Sequence, residues 1–301
     1  MSNKYTFAIL GGDRRQAVIA KNIRALGHST RVFGISTYAN EMPGAEICST
    51  PEKAINGADH IILPLPVSRN GKTLNISDAE KNETVELVHI VDLAHKNGNI
   101  PIIGGVIPES LFQKAKENGV ETVDFYKREN LQQLNALPSA EGAILLAMQN
   151  TDKVLEGMNV LVTGYGRIGK LLARKLKYLG AIVTVAARRD EVLCEIAMSG
   201  YGAVRSTDSY ELKQALCSAE IVFNTVPEII FTKNVLSECT SRPLYLEIAS
   251  VPGGIDSSIA RSLGYNVIFA QSLPGKYAPL SAGEYIFETI RDILNERGTK
   301  I

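Results

Sequence analysis

The sequence predicts an α/β fold of two doubly wound parallel-sheet domains, the second of them built to bind a dinucleotide. Three observations carry that prediction. Short apolar runs alternate with segments of helical period through both halves of the chain. At 301 residues the chain is long enough for two domains, each with its own core. The run Gly164-Tyr165-Gly166-Arg167-Ile168-Gly169 joins an apolar strand at 160–163 to a helical segment at 167–179. That is the strand, glycine turn and helix a Rossmann dinucleotide fingerprint requires.

The first half opens with a strand at 5–10, a turn at Gly11-Gly12 and a helix at 15–26, where Val18, Ile19, Ile23 and Leu26 recur at helical spacing. Strands follow at 30–34 and 60–63, the latter stopped by Pro64 and Pro66. A helix at 83–95, a strand at 100–103, a helix at 109–118 and a strand at 120–125 complete this half. An apolar helix at 141–148, with Ser139 read as its N-cap, starts the bridge to the second half. Beyond the fingerprint, strands are expected at 182–187, 221–224, 244–249 and 267–269, and helices at 191–198, 210–217 and 257–263. The closing segment at 281–296 puts Ile286, Ile290, Ile293 and Leu294 on one helical face. The boundaries that follow are 1–137 for an N-terminal substrate or partner domain, joined by the C-terminal helix at 281–301, and 138–280 for the nucleotide-binding domain with its bridging helix.

Composition narrows the function. Basic and acidic residues balance at 32 each, so no basic excess points to nucleic acid. Cys48, Cys194, Cys217 and Cys239 are far apart and form no C-x-x-C pair, which suits reduced thiols in a cytoplasmic protein. No cluster has metal-ligand spacing, and no apolar stretch reaches the length of a membrane span. The first apolar run is too short for a signal peptide core. A small-molecule enzyme is expected, with no nucleic acid, no membrane and a homo-oligomer left open.

The cofactor is read from the glycines and from the end of the next strand. In the fingerprint, Gly164 permits the turn, Gly166 lets a pyrophosphate approach the backbone and Gly169 lets helix and strand pack; Tyr165, Arg167 and Ile168 fill the loop between them. An NAD site places an acidic residue about twenty positions further on to hold the ribose hydroxyls. Here Ala187, Arg188 and Arg189 occupy that region. A guanidinium suits a 2′-phosphate, so NADP(H) is expected over NAD(H); the alternative is a solvated turn. Thr225, Val226 and Pro227, and then Ala249, end later strands where backbone groups meet the nicotinamide ribose.

Substrate candidates lie at other strand ends. Asp13 and Gln16 read as a helix cap, but Arg14 and Arg15 put two cations in a first turn that the macrodipole disfavours. An anionic substrate would resolve that conflict. Ser68, Ser250 and Lys276 stand in Pro- and Gly-rich loops that invite ligand contact, with plain turn roles as the alternative. Glu141, two positions after Ser139, is either a helix-start residue or a general base or acid at the cleft. All four histidines, His28, His60, His89 and His95, lie in the first half, so the late proton-shuttling histidine of a hydroxy-acid dehydrogenase is missing.

With these residues in view, the chain resembles the dipicolinate synthase A-subunit family of endospore-forming bacteria, nearly end to end. The resemblance rests on I-L-G-G-D-R-R-Q at 9–16, P-S-A-E-G at 138–142, V-T-G-Y-G-R-I-G at 162–169, V-A-A-R at 185–188, N-T-V-P at 224–227, A-S-V-P-G-G-I-D at 249–256 and L-P-G-K-Y-A-P at 273–279. It implies an NADP-binding second domain and, for a partner, a flavoprotein-like B subunit. It also implies work in the mother cell during sporulation, on a branch of the lysine pathway. The implied reaction is oxidation of dihydrodipicolinate to pyridine-2,6-dicarboxylate. Arg14, Arg15 and Lys276 would meet the dicarboxylate, and Glu141 would take the ring proton. Three other readings compete: another NADP-dependent oxidoreductase of hydroxy or amino acids, a nucleotide-binding regulatory subunit, and a purely structural α/β scaffold.

Overall fold

The computed structural model describes residues 4–76 and 84–301. The chain divides into two compact units, residues 1–135 with 278–301, and residues 136–277. Each is a doubly wound α/β layer structure.

In the first unit the described elements run β1 (Thr6–Leu10), α1 (Arg14–Ala25), β2 (Ser29–Phe33), β3 (Glu46–Ile47), α2 (Pro51–Ile55), β4 (His60–Ile62), α3 (Leu87–Lys96), β5 (Ile102–Gly104), α4 (Glu109–Glu117) and β6 (Thr122–Asp124). They form a parallel six-stranded sheet of order β3-β2-β1-β4-β5-β6. Strands buried on both faces need near-continuous apolar runs, and Phe7, Ala8, Ile9 and Leu10 of β1 are all fully buried. The expected helix at 83–95 begins instead at Leu87; its first predicted residue, Glu83, lies outside the described residues.

Next comes α5 (Glu129–Gln149), a 21-residue helix that contains Pro138. The bridging helix was expected to begin after Ser139, so this is a correction. Pro138 gives up one backbone hydrogen bond without ending the helix, and Ser139 is a buried interior residue rather than an N-cap.

The second unit continues with β7 (Asn159–Thr163), α6 (Arg167–Tyr178), β8 (Ile182–Ala187), α7 (Asp190–Met198), β9 (Gly202–Arg205), α8 (Ser209–Ser218), β10 (Ile221–Asn224), α9 (Lys233–Ser237), β11 (Leu244–Glu247), α10 (Ser257–Ser262), β12 (Val267–Phe269) and α11 (Leu273–Tyr277). Its sheet, β12-β11-β10-β7-β8-β9, is parallel. Both sheets therefore follow the same winding, which reverses beside the first strand of each unit, between β1 and β4 and between β7 and β10. Ligands of open α/β sheets bind at such switch points, outside the strand carboxyl ends.

The last helix, α12 (Pro279–Glu296), belongs to the first unit and packs on α1. Its buried stripe includes Gly283, Ile286, Phe287, Ile290, Ile293 and Leu294. The approach is close: a Cβ on Gly283 would stand 2.7 Å from the Val18 Cβ. Among the described residues no helix is long and apolar enough to cross a membrane.

Candidate functional site

The fingerprint stands at the switch point of the second unit. β7 ends at Thr163, the backbone turns at Gly164 with φ +89°, and α6 begins at Arg167. Gly169 is buried directly beneath the turn, and a Cβ there would run into the Gly164 carbonyl. A Cβ on Gly164 would meet the Thr225 hydroxyl. Gly166 differs from both: nothing lies within 4 Å of where its Cβ would stand. Gly166 also occupies the N-cap position without a side-chain hydrogen bond, so the first N–H groups of α6 keep an open approach. Two glycines thus serve packing and the third leaves room for a ligand.

A cleft of about 550 Å³ opens from this turn. Gly164, Tyr165 and Gly166 line it on one side, Thr225, Val226, Pro227 and Glu228 on another, and Ala187, Arg188, Arg189, Ser206 and Thr207 on a third. The structure thereby brings together eight of the cofactor residues expected from the sequence. Arg188 points its guanidinium toward Glu228 at 3.9 Å, with both side chains largely exposed. The Thr225 hydroxyl donates to the Thr163 carbonyl at 2.7 Å, tying two strand ends together. Arg167 is exposed at the start of α6, Ile168 packs on the core, and Ala249 lies on the β11 loop rather than in the cleft lining.

Beneath the cleft is a buried polar network that the sequence did not reveal. Thr163 donates its hydroxyl to the Asn224 side-chain oxygen. The Asn224 Nδ2 donates to Glu247 Oε1 at 2.7 Å and to the Val226 carbonyl at 2.9 Å. Glu247 also accepts from the Ala249 N–H at 3.1 Å and the Gly254 N–H at 2.8 Å. Burial pushes the Glu247 carboxyl above its usual range, and these hydrogen bonds offset it only in part. A Cβ on Gly254 would fall 2.5 Å from the Asn224 Nδ2, so the β11 loop closes tightly over the pair. The signal was a lone acid inside the apolar run L-Y-L-E-I-A.

The first unit has the same turn but covers it. Gly11 and Gly12 have φ of +64° and +93°. The Gly12 N–H donates to the Asn75 carbonyl at 2.6 Å, and a Cβ on Gly11 would meet that same oxygen. The segment at Leu74-Asn75 thus occupies the place a phosphate would need. Asp13 caps α1, accepting from the Arg15 N–H, and holds the Arg15 guanidinium at 2.8 Å through both oxygens. Arg15 also donates to the Leu65 carbonyl at 2.6 Å and is 7% exposed. Burial works to raise the Asp13 carboxyl, but the hydrogen bonds and charge of Arg15, with the charge of Arg69, outweigh it and hold the group below the usual range. The macrodipole conflict is therefore answered within the protein. Arg14 pairs with Glu41 at 2.8 Å and stays partly exposed. The Ser68 hydroxyl donates to Asn70, as a turn residue does.

The remaining candidates stand apart from the cofactor cleft. Glu141 is an exposed residue inside α5, paired with Lys175 at 2.7 Å. Lys175 is eight residues beyond the start of α6, which is about 12 Å along the helix from the fingerprint turn. Glu141 does not line the cleft that opens from the fingerprint. Ser250 is exposed in the turn after β11, where its carbonyl accepts from the Gly253 N–H at 2.9 Å. Lys276 is exposed on α11.

Fold and cleft together define a protein of the dehydrogenase type, with a Rossmann unit whose open glycine turn suits a nicotinamide dinucleotide. Comparison with known proteins agrees and goes further. Residues 6–126 match the family model for the N-terminal domain of the dipicolinate synthase A subunit, and residues 145–272 match that of shikimate / quinate 5-dehydrogenase. The dipicolinate synthase A subunit of Bacillus subtilis (strain 168) is 32% identical over 289 residues, covering 96% of this chain and 95% of that protein. The chain belongs to the dipicolinate synthase A-subunit family. The crystal structure of the Bacillus halodurans protein superposes with a TM-score of 0.85 at 29% identity, over 97% of this chain and 98% of that one. The Bacillus subtilis structure gives 0.83 at 30% identity, over 98% and 97%. A transhydrogenase from Sinorhizobium meliloti shares the fold, with a TM-score of 0.68 at 14% identity over 98% of this chain and 94% of that one.

Proposed function

We propose that this protein binds NADP(H) in its second unit and, with a flavoprotein-like B subunit, oxidises dihydrodipicolinate to pyridine-2,6-dicarboxylate in the mother cell of a sporulating bacterium. One observation carries the cofactor reading: the open face of Gly166 at the α6 N-terminus, with Arg188 rather than a carboxylate at the end of β8. Bound there, the oxidised nicotinamide would take up a hydride from the substrate ring, with one proton released to solvent, and the product ring would gain aromaticity. The chain's own contribution is to hold and orient. Backbone N–H groups at Gly166 and beyond would take the pyrophosphate, Arg188 and Arg189 the 2′-phosphate, and the Thr225–Pro227 loop the nicotinamide ribose.

For a doubly negative substrate, Arg14 is the better cation of the N-terminal pair, because Arg15 is buried and already engaged by Asp13 and the Leu65 carbonyl. Within the second unit taken by itself, the exposed Ser250 and Lys276 are the substrate candidates. Glu141 is not retained as the base, given its place beside Lys175.

The reading is tested by supplying purified protein and B subunit, singly and together, with dihydrodipicolinate and NADP⁺. Pyridine dicarboxylate should form in step with reduced nicotinamide only when this chain is present. Product without cofactor reduction would defeat the hydride assignment. For the cofactor itself, Arg188→Asp should shift preference from NADP⁺ toward NAD⁺, and an unchanged preference counts against it.

A further inference from the structure

We propose that Ser206 and Thr207 complete, with Arg188, the pocket for the 2′-phosphate and so set the preference for NADP(H). This rests on the cofactor reading above and extends it to a loop that has no part in the fingerprint. The argument starts in the backbone. β8 and β9 are paired in parallel with Ala187 opposite Arg205, and the Ser206 N–H donates to the Ala187 carbonyl at 2.9 Å. The two chains therefore leave the sheet side by side, about 4.8 Å apart. Arg188 continues one of them and Ser206 the other, and both line the cleft that opens from Gly166.

The side chains at this edge are arranged as donors. The Ser206 and Thr207 hydroxyls have no hydrogen-bond partner among the described residues. Neither is needed as a helix cap, because Asp208 already accepts from the Tyr210 and Glu211 N–H groups at the start of α8. Of the two carboxylates nearby, Asp190 is held by an ion pair with Arg205, and Glu228, which lines the cleft, is 72% exposed and faces Arg188. Arg188 makes only a loose approach of 3.9 Å to Glu228, with the two side chains 73% and 72% exposed, so its guanidinium is free to turn onto an anion. A phosphate has three acceptor oxygens. The guanidinium fork can satisfy two of them and the hydroxyls the rest. A ribose 2′-hydroxyl offers far less to the same three side chains, and leaving such donors unpaired is how a polar site discriminates.

Calorimetric titration of the full chain with NADP⁺ and with NAD⁺ tests this, comparing wild type with the Ser206→Ala/Thr207→Ala double variant; 2′,5′-ADP against 5′-ADP serves as a second probe pair. The double variant should lose about ten-fold in affinity for NADP⁺ and 2′,5′-ADP while its affinity for NAD⁺ and 5′-ADP stays unchanged. The unchanged NAD⁺ arm also shows that the variant is folded. A wild type that prefers NADP⁺ and a double variant that keeps the preference would overturn this proposal alone. So would equal losses for both cofactors, which would mean the loop shapes the cleft without touching the phosphate. A wild type that binds NAD⁺ as tightly as NADP⁺ would overturn the cofactor reading and this proposal together.

Discussion

Asn224 donates its side-chain amide to Glu247 at 2.7 Å, and both residues are all but buried, 0% and 2% exposed. They stand at the carboxyl ends of adjacent parallel strands, β10 and β11, and are opposite one another in register. The pair ties the loop after β10 to the loop after β11 directly beneath the cofactor cleft. Removing Glu247 would strand the Gly254 N–H and one proton of the Asn224 amide in an apolar setting, while the Ala249 N–H would keep the Asn224 carbonyl. Glu247→Ala should therefore destabilise the protein by about 3 kcal/mol, read from urea unfolding. Glu247→Gln keeps an acceptor for Asn224 and Ala249 and should cost about 1 kcal/mol.

The same carboxyl gives a pH dependence of definite sign. Burial raises its folded-state pKa above the ordinary 4.5, so folding favours the protonated form. Its contribution is fully present below the unfolded value and is lost as pH rises through the folded one. Wild type should therefore lose stability relative to Glu247→Gln as pH climbs from about 4.5 toward neutrality. A difference between the two that stays constant with pH would show that the carboxyl does not titrate in that window.

Gly166 and Gly169 separate binding from packing. Gly169→Ala drives a methyl into the Gly164 carbonyl, so helix and turn must part, and stability should fall by about 2 kcal/mol or more. Gly166→Ala meets open space at a φ of −87° that any residue accepts. Its stability should move by no more than about 0.5 kcal/mol. Its dinucleotide affinity should drop at least about ten-fold, because the methyl stands where the pyrophosphate approaches. Thermal unfolding with and without NADP⁺ reads both effects. A Gly166→Ala protein with wild-type affinity would place the pyrophosphate elsewhere.

Asp13, partly exposed, and the buried Arg15 should behave as one unit and Arg14 as a surface residue. Asp13→Ala leaves the Arg15 guanidinium, 8% exposed, with only the Leu65 carbonyl, at a cost of about 3 kcal/mol. Arg14→Ala breaks an exposed pair with Glu41 and should cost under about 1 kcal/mol. Asp13 has a lowered folded-state pKa, so its contribution is fully present above the unfolded value, 3.8, and lost as pH falls through the folded value. Acid unfolding of Asp13→Asn should lack that step. Equal effects of Asp13→Ala and Arg14→Ala on stability would contradict the burial argument.

How much of this was legible in the sequence follows from how local each cause is. Central strands such as β1, β7 and β10 are buried on both faces and announce themselves as apolar runs. The edge strands β3 and β9 do not: Glu46, Ile47, Gly202 and Ala203 are exposed, so no run marks them. Missing β9 also hid Ser206 and Thr207, whose place beside Arg188 exists only through strand pairing. The glycine turn was readable because a positive φ and a tight helix contact are demands of neighbouring residues. The Asn224–Glu247 pair spans 23 positions and the Arg15–Leu65 contact 50, so neither has a spacing rule to betray it. Pro138 misled because a proline usually marks a helix boundary, whereas here packing carries the helix through it.

The continuous helix through Pro138 also relocates Glu141. With the helix start placed at Ser139, Glu141 falls in a first turn beside the chemistry. With α5 running from Glu129 to Gln149, it falls on an exposed helix face instead. There it meets Lys175 and the apolar side chains of Ile144, Leu145, Met148, Tyr178 and Leu179. Its ion pair is solvent-exposed on the carboxylate side, and such pairs contribute about 0–1 kcal/mol. Glu141→Gln should accordingly keep full turnover in the assay with the B subunit, and lose at most that much stability. Lys175→Met should behave alike, since the same pair is broken from its other end. A loss of turnover in Glu141→Gln but not in Lys175→Met would return Glu141 to the reaction and require α5 to present it differently when substrate is bound.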